Sequence, residues 1–379
     1  MKLLRFTILL VSLSESAFAL PNMVRLGYPN CVSCHVTPQG GGVLNPYGKG
    51  IDEAQSLKGG EYEPPTKGFV KAISWDGRID QNSRAVLSLQ LSHTPGGPYT
   101  GIDRYRFSYR NVTTLWKGLR VSAVVDGETE SANRKATPYD PTSLSGSFAL
   151  RSALIQYRPK EGVELAAGRD ALPTGLNIPD QTTFIKARNR LSYYDTHQQA
   201  KAFFWGKRWQ VTPYVFSPNG NEPASAREKG GGMLAEYDLL GKGRTVVGIN
   251  GLRGSDPGGS RNLVGVYARL GFGRWGVLAE HDLTNRELEK TDTTVKFGQQ
   301  TSYTQVFYYP REWFSVSGIV ERLTVERPYE ERLWAYKGDL SMRLSSNWTI
   351  GVRSGVQRNA FTGALTPIAS IQLAAKSVN

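Results

Sequence analysis

Arg332-Leu333-Trp334-Ala335-Tyr336-Lys337-Gly338-Asp339-Leu340-Ser341-Met342-Arg343-Leu344 decides the reading of the chain. Trp334, Tyr336, Gly338, Leu340, Met342 and Leu344 fall on one face of an extended strand, and Ala335, Lys337, Asp339, Ser341 and Arg343 on the other. One face suits lipid and the other a polar interior. The same period of two recurs at Ala85, Leu87, Leu89 and Leu91 and at Tyr105, Phe107 and Tyr109. Further segments start near Leu119, Phe148, Val163, Ala200, Trp209, Met233, Thr245, Leu263, Trp275, Thr301, Phe314, Trp348 and Pro367. Short turns (114–118, 159–162, 206–208, 241–244, 273–274, 310–312, 345–347) alternate with longer connections such as 129–146, 170–198 and 284–299. Short turns on one rim and long loops on the other are the pattern of an antiparallel transmembrane β-barrel. Counting from Arg84 predicts about 16 strands, with both termini on the short-turn, periplasmic side, and leaves Phe69–Ile79 over.

The composition agrees with an all-β chain. Of 379 residues, 39% are hydrophobic, 11% aromatic and 21% charged, with 41 glycines. The mean hydropathy of −0.38 is too polar for a bundle of membrane helices. A soluble propeller or sandwich also alternates, but Arg and Glu in mid-strand on the polar faces favour a barrel with a wet lumen. So do Trp209, Trp275, Tyr309, Trp313 and Trp348, which crowd the short turns as an interfacial girdle does. The formal net charge of +13 is spread along the chain without a basic run, so no nucleic-acid partner is expected. Lys2 and Arg5, the apolar run 6–13 and Ala17-Phe18-Ala19 read as a signal peptide over residues 1–19.

Cys31 and Cys34 are the two cysteines of the chain, which excludes a disulfide framework. With Val32, Ser33 and His35 they spell C-x-x-C-H, the attachment sequence of c-type haem: two thiols add to the vinyl groups and the imidazole ligates iron. A redox dithiol or half of a zinc site are the other readings of the pattern. For the second axial position the candidates are Met23, His93 and His197, then His281, with Met233 and Met342 behind them, or an open site. Residues 20–67 form the haem segment, closed by Pro64-Pro65, and 68–379 the barrel. Gly40-Gly41-Gly42 is either a flexible turn or an approach to the haem face. A segment of about 48 residues is too small to enclose a haem alone, so the barrel must cover it.

The leader, C-V-S-C-H, Leu44-Asn45-Pro46-Tyr47-Gly48-Lys49, Leu57-Lys58-Gly59-Gly60-Glu61-Tyr62 and then the strands resemble the monohaem cytochrome and porin fusions of iron-oxidising bacteria. The detailed likeness covers residues 28–62. It implies one covalent haem c on Cys31 and Cys34, His35 as proximal ligand, and Asn45, Tyr47 and Gly48 matching the motif that follows. The Gly-rich insert at 40–42 and the shorter chain depart from that family.

The expected function is single-electron transfer across the outer membrane of a Gram-negative bacterium, with the haem segment on the periplasmic side or inside the barrel. Expected partners are a periplasmic electron-transfer cytochrome, outer-membrane lipid and an extracellular metal or redox protein. Ferrous iron is one such donor, so metal oxidation is an attendant activity of an electron-transfer protein rather than of an ordinary enzyme. The alternatives are a transport channel with a haem-bearing plug or sensor, and a soluble periplasmic haem protein. No Ser-His-Asp or metal-helix motif stands out for catalysis.

Overall fold

The computed structural model describes residues 25–28, 31–36, 43–57, 80–93, 100–116, 118–130, 147–178, 180, 182–192, 195–219, 227–290, 293–345 and 348–376. The signal peptide, Met23, Gly40–Gly42, Pro64-Pro65 and Phe69–Ile79 lie outside them. The first eight strands are β1 (Asp80–His93), β2 (Thr100–Trp116), β3 (Leu119–Glu130), β4 (Ser147–Lys160), β5 (Val163–Ala171), β6 (Thr196–Trp205), β7 (Trp209–Ser217) and β8 (Lys229–Asp238). The second eight are β9 (Thr245–Asp256), β10 (Gly259–Phe272), β11 (Trp275–Lys290), β12 (Thr293–Arg311), β13 (Phe314–Val325), β14 (Glu331–Arg343), β15 (Trp348–Asn359) and β16 (Leu365–Lys376). Each pairs antiparallel with its sequence neighbour, and β1 pairs with β16 from Val86↔Lys376 to Ser92↔Ser370. The sheet is a closed barrel without free edges.

Alternation along the strands sorts the side chains as expected. On β14, Ala335, Asp339 and Ser341 are buried inside while Tyr336 faces out. Ile155, Val215, Val264 and Val266 are more than half exposed on the outer wall, where in a bilayer they meet acyl chains rather than water. No described helix is long and apolar enough to cross a membrane, so the spanning elements are strands.

Two expectations are corrected. Residues 284–299 are not a loop: β11 continues to Lys290 and β12 begins at Thr293, with Leu288↔Val295 in register. Polar residues occupy both faces there, so the ladder persists where the hydrophobic period has ended. Tyr309 is not part of the girdle. It continues the inward alternation of Tyr303, Gln305 and Phe307 and is 4% exposed, while Tyr308, on the outward parity, packs on Trp275 with ring centres 4.5 Å apart.

The connection between β5 and β6 folds into the lumen instead of standing above the rim. Leu176, Ile178 and Ile185 are at most 1% exposed and pack among inward residues of β11 to β13, including Leu278, Phe307 and Ile319. A one-turn helix, Phe184–Ala187, sits at its tip. The barrel thus has an apolar core inside a polar wall. The loop's backbone donors are satisfied by wall carboxylates: Leu176 N–H donates to Glu280 (2.7 Å) and Phe184 N–H to Glu321 (2.7 Å).

Candidate functional site

Cys31–Ser33 forms a single 3-10 turn, in which the Cys34 and His35 amides donate to the Cys31 carbonyl at 3.3 and 2.9 Å. This turn holds both thiols and the imidazole within five residues. A second short element locks it. Asn45 caps the helix α1 (Pro46–Ala54): its side-chain oxygen accepts from Gly48 N–H at 2.8 Å, and Pro46 stands at the first helical position, where a missing N–H costs nothing. The Asn45 amide donates to the Cys34 carbonyl (2.9 Å) and its side-chain nitrogen to the Ser33 carbonyl (3.2 Å). Asn45 therefore ties the cap of α1 to the turn that bears the cysteines.

Gly48 explains itself by contact. A Cβ there would lie 2.2 Å from the Cys34 carbonyl oxygen and 3.0 Å from its Cα, atoms that cannot swing away. Gly48→Ala is expected to destabilise this junction by about 1–3 kcal/mol. Hydrogen exchange at the Asn45 amide, measured by mass spectrometry, should accelerate at least several-fold; unchanged exchange would remove the steric argument. Tyr47 is exposed and its hydroxyl hydrogen-bonds that of Tyr28, the rings meeting edge-on at 6.0 Å.

The segment docks inside the short-turn end of the barrel. Arg120, the second residue of β3, and Arg158, near the end of β4, both donate to the carbonyl of Val36, the latter at 3.4 Å. Glu164, fully buried, accepts from Arg120, from Arg158 (2.7 Å) and from Gln156 (3.0 Å). Across the lumen Arg343 donates to Gln55 (3.1 Å) and to the Asp52 carbonyl (2.7 Å) and pairs with the Asp52 carboxylate, while Leu57 N–H donates to the Arg343 carbonyl (2.8 Å). Arg25 pairs with Glu312 in the β12–β13 turn and lies over Tyr309, 4.8 Å from its ring centre. Three arginines of the wall and one of the segment hold the plug.

Both cysteines are free. Burial pushes the Cys31 thiol up to about 11, with Arg269 opposing and Glu236 adding to the shift, and burial raises Cys34 as well. Neither is the activated thiolate that a dithiol oxidoreductase uses. Among the described residues no group of three His, Cys, Asp or Glu stands close enough to hold a metal ion.

The other candidate ligands are dispersed. His197 is buried near Phe216 (5.0 Å) and shares its surroundings with Arg261. Cys31 shares its own with Arg269. Those arginines are eight residues apart on β10, about 27 Å at ~3.4 Å per residue, so the structure does not bring His197 to the motif. His93 ends β1 at the long-loop rim, the opposite end from the motif. His281 faces outward and hydrogen-bonds Ser302 (2.8 Å), Met233 is exposed on the outer wall, and Met342 alternates with the inward Ser341 and Arg343.

Among the arginines of the wall, Arg120 reaches both Glu164 and the segment, Arg151 lies 3.8 Å from Asp126, and Arg353 pairs with Asp180 and Asp339. Arg110 is half-buried, and the side chains of Arg104 and Arg106 lie outside the described set. The roles of Arg158, Glu164 and Arg343 in the wall, and of Asp52 in α1, had no local signature; each is an ordinary strand or helix residue until the segment is laid against the wall.

No protein-family model matches the chain, and no curated protein matches it. Solved structures do. The barrel is similar to OmpT lacking its loop L8, an outer membrane protein of Vibrio cholerae (TM-score 0.60, 11% identity, 79% of this chain and 100% of that one). It is also similar to the anion-selective porin from Comamonas acidovorans (TM-score 0.60, 10% identity, 79% and 100%) and to OprB of Pseudomonas putida (TM-score 0.57, 9% identity, 82% and 97%). At such identities the likeness concerns the fold alone. That fold is the antiparallel β-barrel of outer-membrane porins, and in this chain the C-x-x-C-H segment is docked in its short-turn mouth.

Proposed function

We propose that the protein is an outer-membrane c-type cytochrome whose barrel shelters one covalently held haem and passes single electrons across the membrane. One observation carries this reading: the C-x-x-C-H segment is tied into the short-turn mouth of the barrel by Arg120, Arg158 and Arg343. The donor set fits the group, with two unbridged thiols on one turn, the imidazole of His35 next to them, and a barrel wall that supplies the enclosure 48 residues lack. Cys31 and Cys34 would hold the haem and His35 its iron. The group supplies one-electron chemistry at iron.

The chain's own part is placement and exclusion. Arg120 and Arg158 fix the Val36 carbonyl, and through the adjacent peptide they limit the movement of His35. Glu164 offsets their charge in the same buried spot. The inward loop fills the lumen above with Leu176, Ile178 and Ile185, which favours an electron conduit over an open solute channel. One cofactor does not bridge a hydrocarbon core of about 30 Å, so a soluble cytochrome on the periplasmic side and a metal species or redox protein on the outer side complete the path.

The test begins with the outer-membrane fraction. The protein should carry a haem stain that survives denaturation, migrate anomalously unless boiled, and lose the stain alone in Cys31→Ala/Cys34→Ala. In intact cells a membrane-impermeant ferrous chelate should then change the haem absorbance. A stain that is absent, or a haem that ignores external chelates while the barrel conducts ions, would replace this reading by the transport channel.

A further inference from the structure

The short-turn rim is charged asymmetrically. Exposed cations stand on five consecutive turns: Lys160 after β4, Lys207 after β6, Lys242 and Arg244 between β8 and β9, Arg274 between β10 and β11, and Arg311 at the end of β12. Exposed acids on those turns are Glu161 and Glu312, and Glu312 is engaged by Arg25. Among the described residues none of the six cations makes an ion pair with a carboxylate. Two described connections of the opposite rim have no such excess. The described connection between β13 and β14 carries Glu326, Arg327 and Glu330, with Arg327 lying 3.5 Å from Glu330, and the one between β15 and β16 is uncharged.

Position gives the charge a meaning. Successive short turns are two strands, about 10 Å, apart, so five of them span about 40 Å of rim. That is the scale of a small soluble protein. The arc also borders the docked segment: Gly27 lies against the Lys242 carbonyl and the Arg244 side chain, and Arg25 against the β12–β13 turn. A molecule drawn to these cations is brought over the mouth that holds Cys31 to His35. Arg208, by contrast, donates to the Asp238 carbonyl (2.9 Å) and lies over the outward Tyr237, 5.0 Å from its ring centre, at the bilayer boundary. Among the described residues none of the six turn cations lies over an outward ring in this way; Arg274 and Arg311 each donate to the Pro310 carbonyl, at 3.2 and 3.3 Å.

We infer that this basic arc is the docking surface for a small, soluble, acidic one-electron carrier protein of the periplasm. The inference rests on the electron-transfer reading for the carrier's purpose, but the surface itself is a matter of charge. Unpaired, solvated charges of one sign steer an oppositely charged partner and make its association salt-dependent. They contribute little to folding, so reversing them leaves the barrel intact.

The test uses the purified holo-protein in detergent and flavodoxin, an acidic electron carrier, as probe. Immobilised flavodoxin should bind it at 20 mM salt, and affinity should fall at least tenfold at 300 mM. Lys242→Glu/Arg244→Glu/Arg274→Glu should lose at least tenfold at 20 mM, with haem stain and heat-modifiable migration unchanged. No binding at 20 mM, or equal binding by the triple variant, overturns the proposal. Flotation with phosphatidylglycerol vesicles but not phosphatidylcholine vesicles, lost in the triple variant without any flavodoxin binding, also overturns it and assigns the arc to lipid. Salt-sensitive binding by a wild-type protein without haem leaves the surface standing and sinks the electron-transfer reading instead.

Discussion

Replacing Arg353 by Met is expected to raise the single-channel conductance of the barrel several-fold in planar bilayers. Arg353 holds Asp339 in a two-pronged pair (2.7 Å to each oxygen) and also grips Asp180 of the inward loop. Both carboxylates are buried. Removing the cation leaves them uncompensated, at a cost of about 3–5 kcal/mol. The wall strands are held by a closed hydrogen-bond ladder, whereas the loop is held by side chains, so the loop is the part that yields. Lys337 stands 3.8 Å from Asp180 and already serves Glu321 (2.5 Å), so it does not replace Arg353. Arg353→Met with Asp180→Asn and Asp339→Asn should restore low conductance, because no unpaired charge is left. Conductance equal to wild type in Arg353→Met would mean that the apolar contacts of Leu176, Ile178 and Ile185 suffice to keep the loop down.

The same contact sets a pH dependence. Burial would raise the Asp180 carboxyl, but the Arg353 and Lys337 cations and the Thr182 hydroxyl and amide hold it well below the usual carboxylate range. A depressed value means that stability is present above the unfolded value and is lost only as pH falls through the folded one. The closed loop should therefore keep conductance flat from neutral pH down through the ordinary range of carboxylate titration, about pH 4. A rise in conductance centred there would show that another group governs the loop.

Glu164→Leu is expected to release the N-terminal segment from the wall. Glu164 is the shared acceptor of Arg120, Arg158 and Gln156, and its loss leaves two guanidinium groups side by side around the Val36 carbonyl. Breaking a buried pair in this way costs about 3–5 kcal/mol, or about two to four orders of magnitude in the population of the undocked segment. In detergent, limited proteolysis within residues 25–57 should accelerate accordingly, while heat-modifiable migration of the barrel is retained. Proteolysis at the wild-type rate would mean that Arg343 and Arg25 anchor the segment without help from this side.

The limits of the sequence reading follow from where alternation has a cause. Strands that begin at short turns start where the pattern places them: Leu119, Val163, Trp209, Thr245, Trp275, Phe314 and Trp348. There the strand enters the hydrocarbon within a residue or two, and apolar and polar faces separate at once. Strands that begin at the long-loop rim start earlier than their patterns, β12 at Thr293 rather than Thr301 and β8 at Lys229 rather than Met233. Beyond the bilayer both faces meet water or protein, so the ladder continues without a hydrophobic period. The C-x-x-C-H motif, the cap at Asn45 and the tight helix at Gly48 were visible because their contacts are local.

What the sequence alone determined was therefore the barrel, its strand number, the rim that carries the short turns and the chemistry-bearing pentapeptide, since each depends on spacing within a dozen residues. The tertiary structure decided the rest: which arginines hold the segment, that Leu176, Ile178 and Ile185 of the β5–β6 connection turn inward, and that His197 stands far from Cys31. Those pairings join residues up to 291 positions apart, as with Arg343 and Asp52. A side chain's neighbours across a lumen depend on how the sheet closes, and no local pattern in a strand encodes which strand will face it.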